Sequence, residues 1–129
     1  MSASQEIPPW LREQLARYEQ LQQNLQAILV QKQQVDLESS DIDRALSELS
    51  KASDLDAVYK SAGNLLVKAK KEDVSKDLQE KKELSSTRSA VLTKQEQRVR
   101  ENLKELEAKI QDAVKSNRGT AASQPSSSS

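Results

Sequence analysis

The side chains of this chain that could take part in chemistry are carboxylates, lysines and arginines. The sequence of 129 residues has no cysteine and no histidine, which removes thiolate nucleophiles, disulfides and the commonest metal ligand and general base. Twenty Lys and Arg residues balance twenty Asp and Glu residues, and the two signs alternate at surface spacing without a glycine-rich phosphate loop. We therefore expect no enzyme activity, no metal and no cofactor. The balanced charge also disfavours binding to nucleic acid, RNA included, or to an anionic membrane.

The chemistry that remains is the burial of apolar surface. Aromatic residues make up only 2% of the chain, too few for a thick globular core. Apolar residues nevertheless occur near both ends of the patterned region, and these are Ile7, Trp10, Leu11, Leu15, Ile110, Ala113 and Val114. Whether they form one surface depends on the elements that carry them.

Those elements are two long segments in which apolar residues recur every seven positions. The first segment carries Leu21, Ile28, Val35, Ile42 and Leu49 in one series, and Leu11, Tyr18, Leu25 and Leu46 in another. The second segment carries Leu78, Leu92, Val99, Leu106 and Ala113, together with Leu103 and Ile110. This spacing is typical of a coiled-coil seam. The predicted fold class is therefore dominated by α-helix: a long antiparallel coiled-coil hairpin whose arms of roughly forty residues are about 60 Å long.

The two arms can be aligned in one antiparallel register. Partners in such a pair have residue numbers with a constant sum, which holds for Leu46 with Leu78, Leu25 with Val99, Leu21 with Leu103, and Tyr18 with Leu106. The same register places Lys82 opposite Ile42, Ser85 opposite Ser39, and Ser89 opposite Val35. Polar residues at core positions lower the stability of a coiled coil, so we expect loose packing in the middle of the arms.

This register brings the apolar residues of the two chain ends together. Trp10 and Leu15 flank the core positions, so the end of the coiled coil should expose an apolar patch formed by the seven residues named above. Such a patch suits weak binding of unfolded chains, because it requires apolar surface and imposes no sequence. The alternative is an apolar staple that only prevents the helix ends from fraying.

The segment between the arms predicts a β-hairpin. Two short β-prone runs, 57–60 and 65–69, enclose a turn in which Gly63 is expected to adopt a positive φ. The hairpin carries the apolar residues Val58, Tyr59, Leu65, Leu66 and Val67. An isolated hairpin is marginally stable, and its free edges favour closure into an oligomeric β-barrel. The alternative is that the hairpin only caps the coiled coil.

The predicted organisation has five parts. They are an N-terminal extension (1–7), a first coiled-coil helix (8–52), a connector with the assembly hairpin (53–71), a second coiled-coil helix (72–116) and a disordered Ser-rich tail (117–129). No apolar run approaches the roughly twenty residues of a membrane helix, and the N-terminus lacks the order of a secretory signal. We therefore expect a cytoplasmic location.

The segment 56–68, Asp-Ala-Val-Tyr-Lys-Ser-Ala-Gly-Asn-Leu-Leu-Val-Lys, lies between the heptad arms and follows an Ile-Pro-Pro opening at 7–9. Together these features closely resemble the β-type subunits of archaeal prefoldins, from Ile7 to about Val114. The resemblance implies a hexamer of two α-type and four β-type subunits whose hairpins merge into a double β-barrel. It also implies an ATP-independent holdase whose coiled-coil tips capture unfolded polypeptides and deliver them to a group II chaperonin.

A different class of protein shares the same broad pattern. A structural or adaptor coiled coil would use the hairpin to dimerise and the tip to dock one specific folded partner. The two hypotheses differ in assembly, because the first predicts a hexamer with an α-type partner and the second predicts a dimer.

Overall fold

The computed structural model describes the backbone of residues 7–128 and the side chains of residues 7–116. Its elements in chain order are helix α1 (Pro9–Lys51), strand β1 (Val58–Ala62), strand β2 (Leu65–Ala69) and helix α2 (Lys71–Ser128). The predicted fold class, two long helices with one β-hairpin at the connector, is confirmed. Both ends of α1 and the start of α2 lie within one residue of the predicted limits.

The far end of α2 differs from the prediction. Helical backbone continues to Ser128, whereas the sequence predicted a helix end near Ser116 and a disordered tail after it. A glycine such as Gly119 costs only about 1 kcal/mol relative to alanine inside a helix, which is too little to end a helix by itself. The predicted N-terminal extension, apart from Ile7, lies outside the described residues.

Two compact units make up the described chain. The terminal unit contains residues 7–29 and 95–128, and the hairpin unit contains Val30–Lys94. In the terminal unit the predicted heptad positions of α1 and α2 are the covered ones: Leu11 and Leu106 are buried, and Tyr18, Leu21, Leu25, Ile28, Val99, Leu103 and Ile110 are half-buried. The hydroxyl of Tyr18 donates a hydrogen bond of 3.3 Å to Glu107 Oε1, next to its predicted partner Leu106.

The hairpin unit continues the same heptad pattern on its own segments of α1 and α2. Two ion pairs, Lys82 with Asp43 at 2.8 Å and Arg88 with Glu38 at 3.4 Å, show that these segments run antiparallel within one residue or two of the predicted register. The amine of Lys71 donates a 2.6 Å hydrogen bond to the carbonyl oxygen of Ala52, just beyond the last turn of α1. This bond satisfies a carbonyl that the helix end leaves without a backbone partner.

Loose packing in the middle of the arms was predicted, and the structure contradicts this at Val35. Val35 is 1% exposed and Leu92 is also buried, in the same unit as Ser85, which is 4% exposed. Small serine side chains at seam positions leave room for the opposite helix to cover Val35, so they permit close packing. This close packing is destabilising at Ser85, because its buried Oγ has no hydrogen-bond partner.

Candidate functional site

The start of α1 is built by two prolines. Pro9 occupies the first helical position, where its missing N–H costs nothing, and the N–H of Arg12 donates a 3.0 Å bond to the carbonyl of Pro8. The Arg12 guanidinium also reaches back to the carbonyl of Ile7 at 3.4 Å. The backbone before the helix is thereby held against the first turn, with the side chain of Ile7 exposed.

The next residues divide between surface and seam. Trp10 is 48% exposed and Leu15 is similarly exposed, as expected for residues that flank the heptad core. Leu11, however, is 9% exposed. We predicted Leu11 as part of the exposed patch, but it occupies a core position and contributes packing there rather than accessible surface.

The opposite segment of the terminal unit supplies the remaining predicted residues. Ile110, Ala113 and Val114 are all half-buried. Antiparallel pairing continued from Tyr18 and Glu107 places Leu15 near Ile110 and Leu11 near Val114. The accessible apolar surface of this unit is therefore carried mainly by Ile7, Trp10 and Leu15, with the half-buried residues of α2 beside it. We call these three residues the tip patch.

The β-hairpin has a tight, regular register. Val58 lies opposite Ala69, Lys60 opposite Val67, and Ala62 opposite Leu65, which leaves Gly63 and Asn64 as a two-residue loop. The positive φ predicted for Gly63 is confirmed at 62°, and no other residue has a positive φ among those described. Positive φ at the first loop position alone matches a type II′ turn, whose twist suits a hairpin.

Both faces of the hairpin carry apolar side chains. Residues directly opposite in an antiparallel pair point to the same face. One face therefore holds Val58, Lys60, Ala62, Leu65, Val67 and Ala69, and the other holds Tyr59, Ser61, Leu66 and Lys68. Tyr59, Leu65, Leu66 and Val67 are exposed, and Val58 is half-buried.

The described strands form a sheet of only two strands, so each has one edge without a backbone partner in the described chain. Free edges beside exposed apolar side chains favour strand addition. The predicted assembly residues thus all lie on this one hairpin.

A short turn between α1 and β1 is closed by bonds between side chains and backbone, as Ser53 and Asp56 favour. The N–H of Ser53 donates to Asp56 Oδ2 at 2.7 Å, and Ser53 Oγ accepts from the N–H of Leu55 at 3.0 Å. Ser53 and Asp56 thus satisfy backbone N–H groups of the turn reciprocally, in the manner of a capping box although no helix follows. The turn presents Leu55 with 97% of its surface exposed.

A groove in the hairpin unit lies in the middle of the arms, where loose packing was predicted. It has a volume of about 430 Å³, and Ser85 lies in its wall together with Ile42, Ala45, Leu78 and Leu84. Carboxylates of Glu38 and Asp41 and cations of Lys81 and Arg88 also line it.

The described residues were also searched for metal sites and membrane spans. No group of three or more Asp and Glu side chains is placed to hold a metal ion within them. Neither helix, over its described length, contains a stretch apolar enough to cross a membrane.

The chain is similar in sequence to known proteins. A family profile described as "Prefoldin subunit" matches residues 12–117. The chain belongs to the prefoldin family. It is 45% identical over 109 residues to the prefoldin subunit beta of Archaeoglobus fulgidus, covering 84% of this chain and 94% of that protein. It is 40% identical over 111 residues to the prefoldin subunit beta of Pyrococcus furiosus, covering 86% of this chain and 95% of that protein.

Solved prefoldin structures show the same architecture. The crystal structure of the prefoldin beta subunit from Thermococcus strain KS-1 aligns with a TM-score of 0.77 at 41% identity, over 84% of this chain and 96% of that one. The beta2 subunit from the same strain aligns with a TM-score of 0.65 at 21% identity, over 70% and 97% of the two chains, which is a likeness of fold. The predicted family resemblance is confirmed, and with it the class of chaperone subunit. Prefoldin subunits are chaperones and not enzymes.

Proposed function

We propose that this chain is an ATP-independent holdase subunit that binds unfolded polypeptides through the tip patch in the cytoplasm. The observation that carries the proposal is the exposure of Ile7, Trp10 and Leu15 at one end of a helix pair whose other apolar side chains mostly line the seam. An unfolded chain offers scattered apolar side chains without a fixed shape. A small apolar patch can bind such a ligand because it demands little shape complementarity.

One tip alone binds weakly. Complete burial of a large apolar side chain contributes about 1.5–3 kcal/mol, so three half-exposed residues contribute roughly 3 kcal/mol when a client covers them. A binding free energy of that size corresponds to a dissociation constant weaker than about 1 mM. A useful holdase therefore requires several tips that engage one client, because linked weak sites gain avidity.

Assembly through the hairpin supplies the several tips. We propose that the free edges of β1 and β2 pair with hairpins of other prefoldin subunits and close a β-barrel, which removes the exposed edges and covers Leu65 and Leu66. The stoichiometry we propose is two α-type to four β-type subunits, with group II chaperonin as the acceptor of the client. The family membership and the two unpaired edges support this arrangement.

The experiment that tests the proposal compares two variants, each with three exposed apolar residues changed to serine. In the first, Ile7→Ser, Trp10→Ser and Leu15→Ser remove the tip patch but leave the buried Leu11 in place. In the second, exposed apolar residues elsewhere are changed in the same way, and these are Val30, Leu37 and Val91. Both are assembled with an α-type prefoldin subunit and mixed with a denatured test protein, and light scattering reports aggregation.

The tip variant should lose suppression of aggregation, whereas the control variant should retain it, and native mass spectrometry should give the same mass for both. Equal suppression by both variants would place client binding elsewhere. Binding that persists only towards one folded protein would favour the adaptor hypothesis. ATP should change neither result, since the sequence has no loop that could cradle its phosphates.

A further inference from the structure

The exposed Leu55 is held in place by a closed set of hydrogen bonds. Besides the two bonds between side chain and backbone, the N–H of Asp56 donates to the carbonyl of Ser53 at 3.0 Å. The turn ties its own backbone together and leaves Leu55 exposed, with Asp54 and Asp56 next to it in the sequence. Contact of this leucine with another surface would be favourable, because it removes apolar area from water.

Positive charge lies at the same end of the sheet as the Leu55 turn, because Val58 of β1 is opposite Ala69 of β2. Lys68 is near the end of β2 and Lys70 follows it, and both are exposed. Neither forms an ion pair within the described part of the chain. Lys68, Lys70 and the Leu55 turn line a common recess of about 580 Å³. The neighbouring Lys71 differs, because its amine is bonded to Ala52.

The register of the hairpin indicates which residues of two copies come together when their strands pair. Within the hairpin, the first residue of β1, Val58, lies opposite the last residue of β2, Ala69. If β1 of a second copy pairs in the same antiparallel register with the free edge of β2, neighbouring strands lie about 4.8 Å apart. The acidic turn that precedes β1 of the second copy then arrives beside Lys68 and Lys70 of the first.

We propose that the turn of residues 53–57 is a docking element that packs Leu55 of one copy against the end of β2 in a second copy, with Asp54 facing Lys70. This inference rests on the proposed assembly through the hairpins, and it adds the direction of their pairing. The contact runs from β1 of one copy to β2 of the next, so it is heterologous and can continue around a ring. Antiparallel pairing of β1 with β1, or of β2 with β2, would bring no positive charge of the second copy to the turn and would leave Leu55 exposed.

The absence of cysteine from the sequence permits a direct test of proximity. Two chains that differ in tag mass are prepared, one with Leu55→Cys and the other with Lys70→Cys, and are assembled together with an α-type prefoldin subunit. A short bis-maleimide reagent should join the two different chains in higher yield than it joins two copies of either. A pair with Leu37→Cys in place of Leu55→Cys, at another exposed leucine, is the control. A yield equal to the control, or a dominant product between two Leu55→Cys chains, would overturn the inference.

Dissociation measurements separate this inference from the proposed assembly. Leu55→Ser should weaken assembly about tenfold or more, because a large apolar side chain loses its cover. Asp54→Lys and Lys70→Asp should each weaken it several-fold, and the two changes together should restore it, whereas an exposed control, Asp41→Lys, should have no effect. Unchanged assembly in Leu55→Ser, with assembly lost in the combined variant Val58→Asp and Leu66→Asp, would refute the docking element alone. If neither variant changes assembly, both the docking element and the hairpin proposal fail.

Discussion

Replacement of Ser85 by alanine should stabilise the protein. Its Oγ lies in the covered seam of the hairpin unit and has no hydrogen-bond partner, while the side chain is almost completely buried. A buried hydroxyl without a partner costs about 1–3 kcal/mol, and this cost disappears when a methyl group takes its place. Alanine also has a higher helix propensity than serine, by about 0.5 kcal/mol. Ser85→Ala should therefore raise the free energy of unfolding by roughly 1.5–3.5 kcal/mol.

The adjacent Ser86 provides a matched control because it lies in the same helix but is exposed. Ser86→Ala gains the helix propensity and removes no buried polar group, so it should raise the free energy of unfolding by only about 0.5 kcal/mol. Urea denaturation followed by circular dichroism, at one fixed protein concentration, gives both values. A gain for Ser85→Ala no larger than that for Ser86→Ala would mean that the Ser85 hydroxyl is already satisfied, and the account of the close-packed seam would be wrong.

Two further predictions concern the hairpin and the seam. Gly63→Val should abolish assembly with little loss of helical circular dichroism. A Cβ at this position would meet open space, so the effect comes from the φ of 62°, which is strained for a β-branched residue. Asn64→Ala, at a position without positive φ, should assemble normally in native mass spectrometry. In hydrogen exchange, amides of residues 79–84 should exchange faster than those of residues 88–93. The first range borders the groove, whereas the second packs around the buried Leu92. Equal exchange rates would contradict this difference in packing.

Much of the fold was predictable because periodicity reports directly on burial. The heptad positions from Leu11 to Leu49 correspond closely to the covered positions of α1, since only one stripe of a helix can face its partner. The hairpin was equally readable, because Gly63 permits a turn that other residues resist.

The errors arose where burial depends on neighbours rather than on residue type. Leu11 was assigned both to the heptad seam and to the exposed patch, and its low exposure agrees with the seam position. The close packing around Val35 depends on the small size of opposing side chains, whose polarity suggested the reverse. Leu55 was overlooked because a single leucine outside the heptad pattern carries no periodic signal, and its exposure follows from the hydrogen bonds of Ser53 and Asp56.

The emission of Trp10 is the most direct measure of client binding at the tip patch. It is the only tryptophan of the chain and is 48% exposed. With an α-type partner subunit that lacks tryptophan and a client that lacks tryptophan, all emission comes from this residue. The account predicts a red-shifted spectrum for the free assembly and a blue shift when unfolded client is added, with no shift when the same client is folded. A spectrum that stays unchanged on addition of unfolded client, while aggregation is still suppressed, would contradict binding at the tip patch.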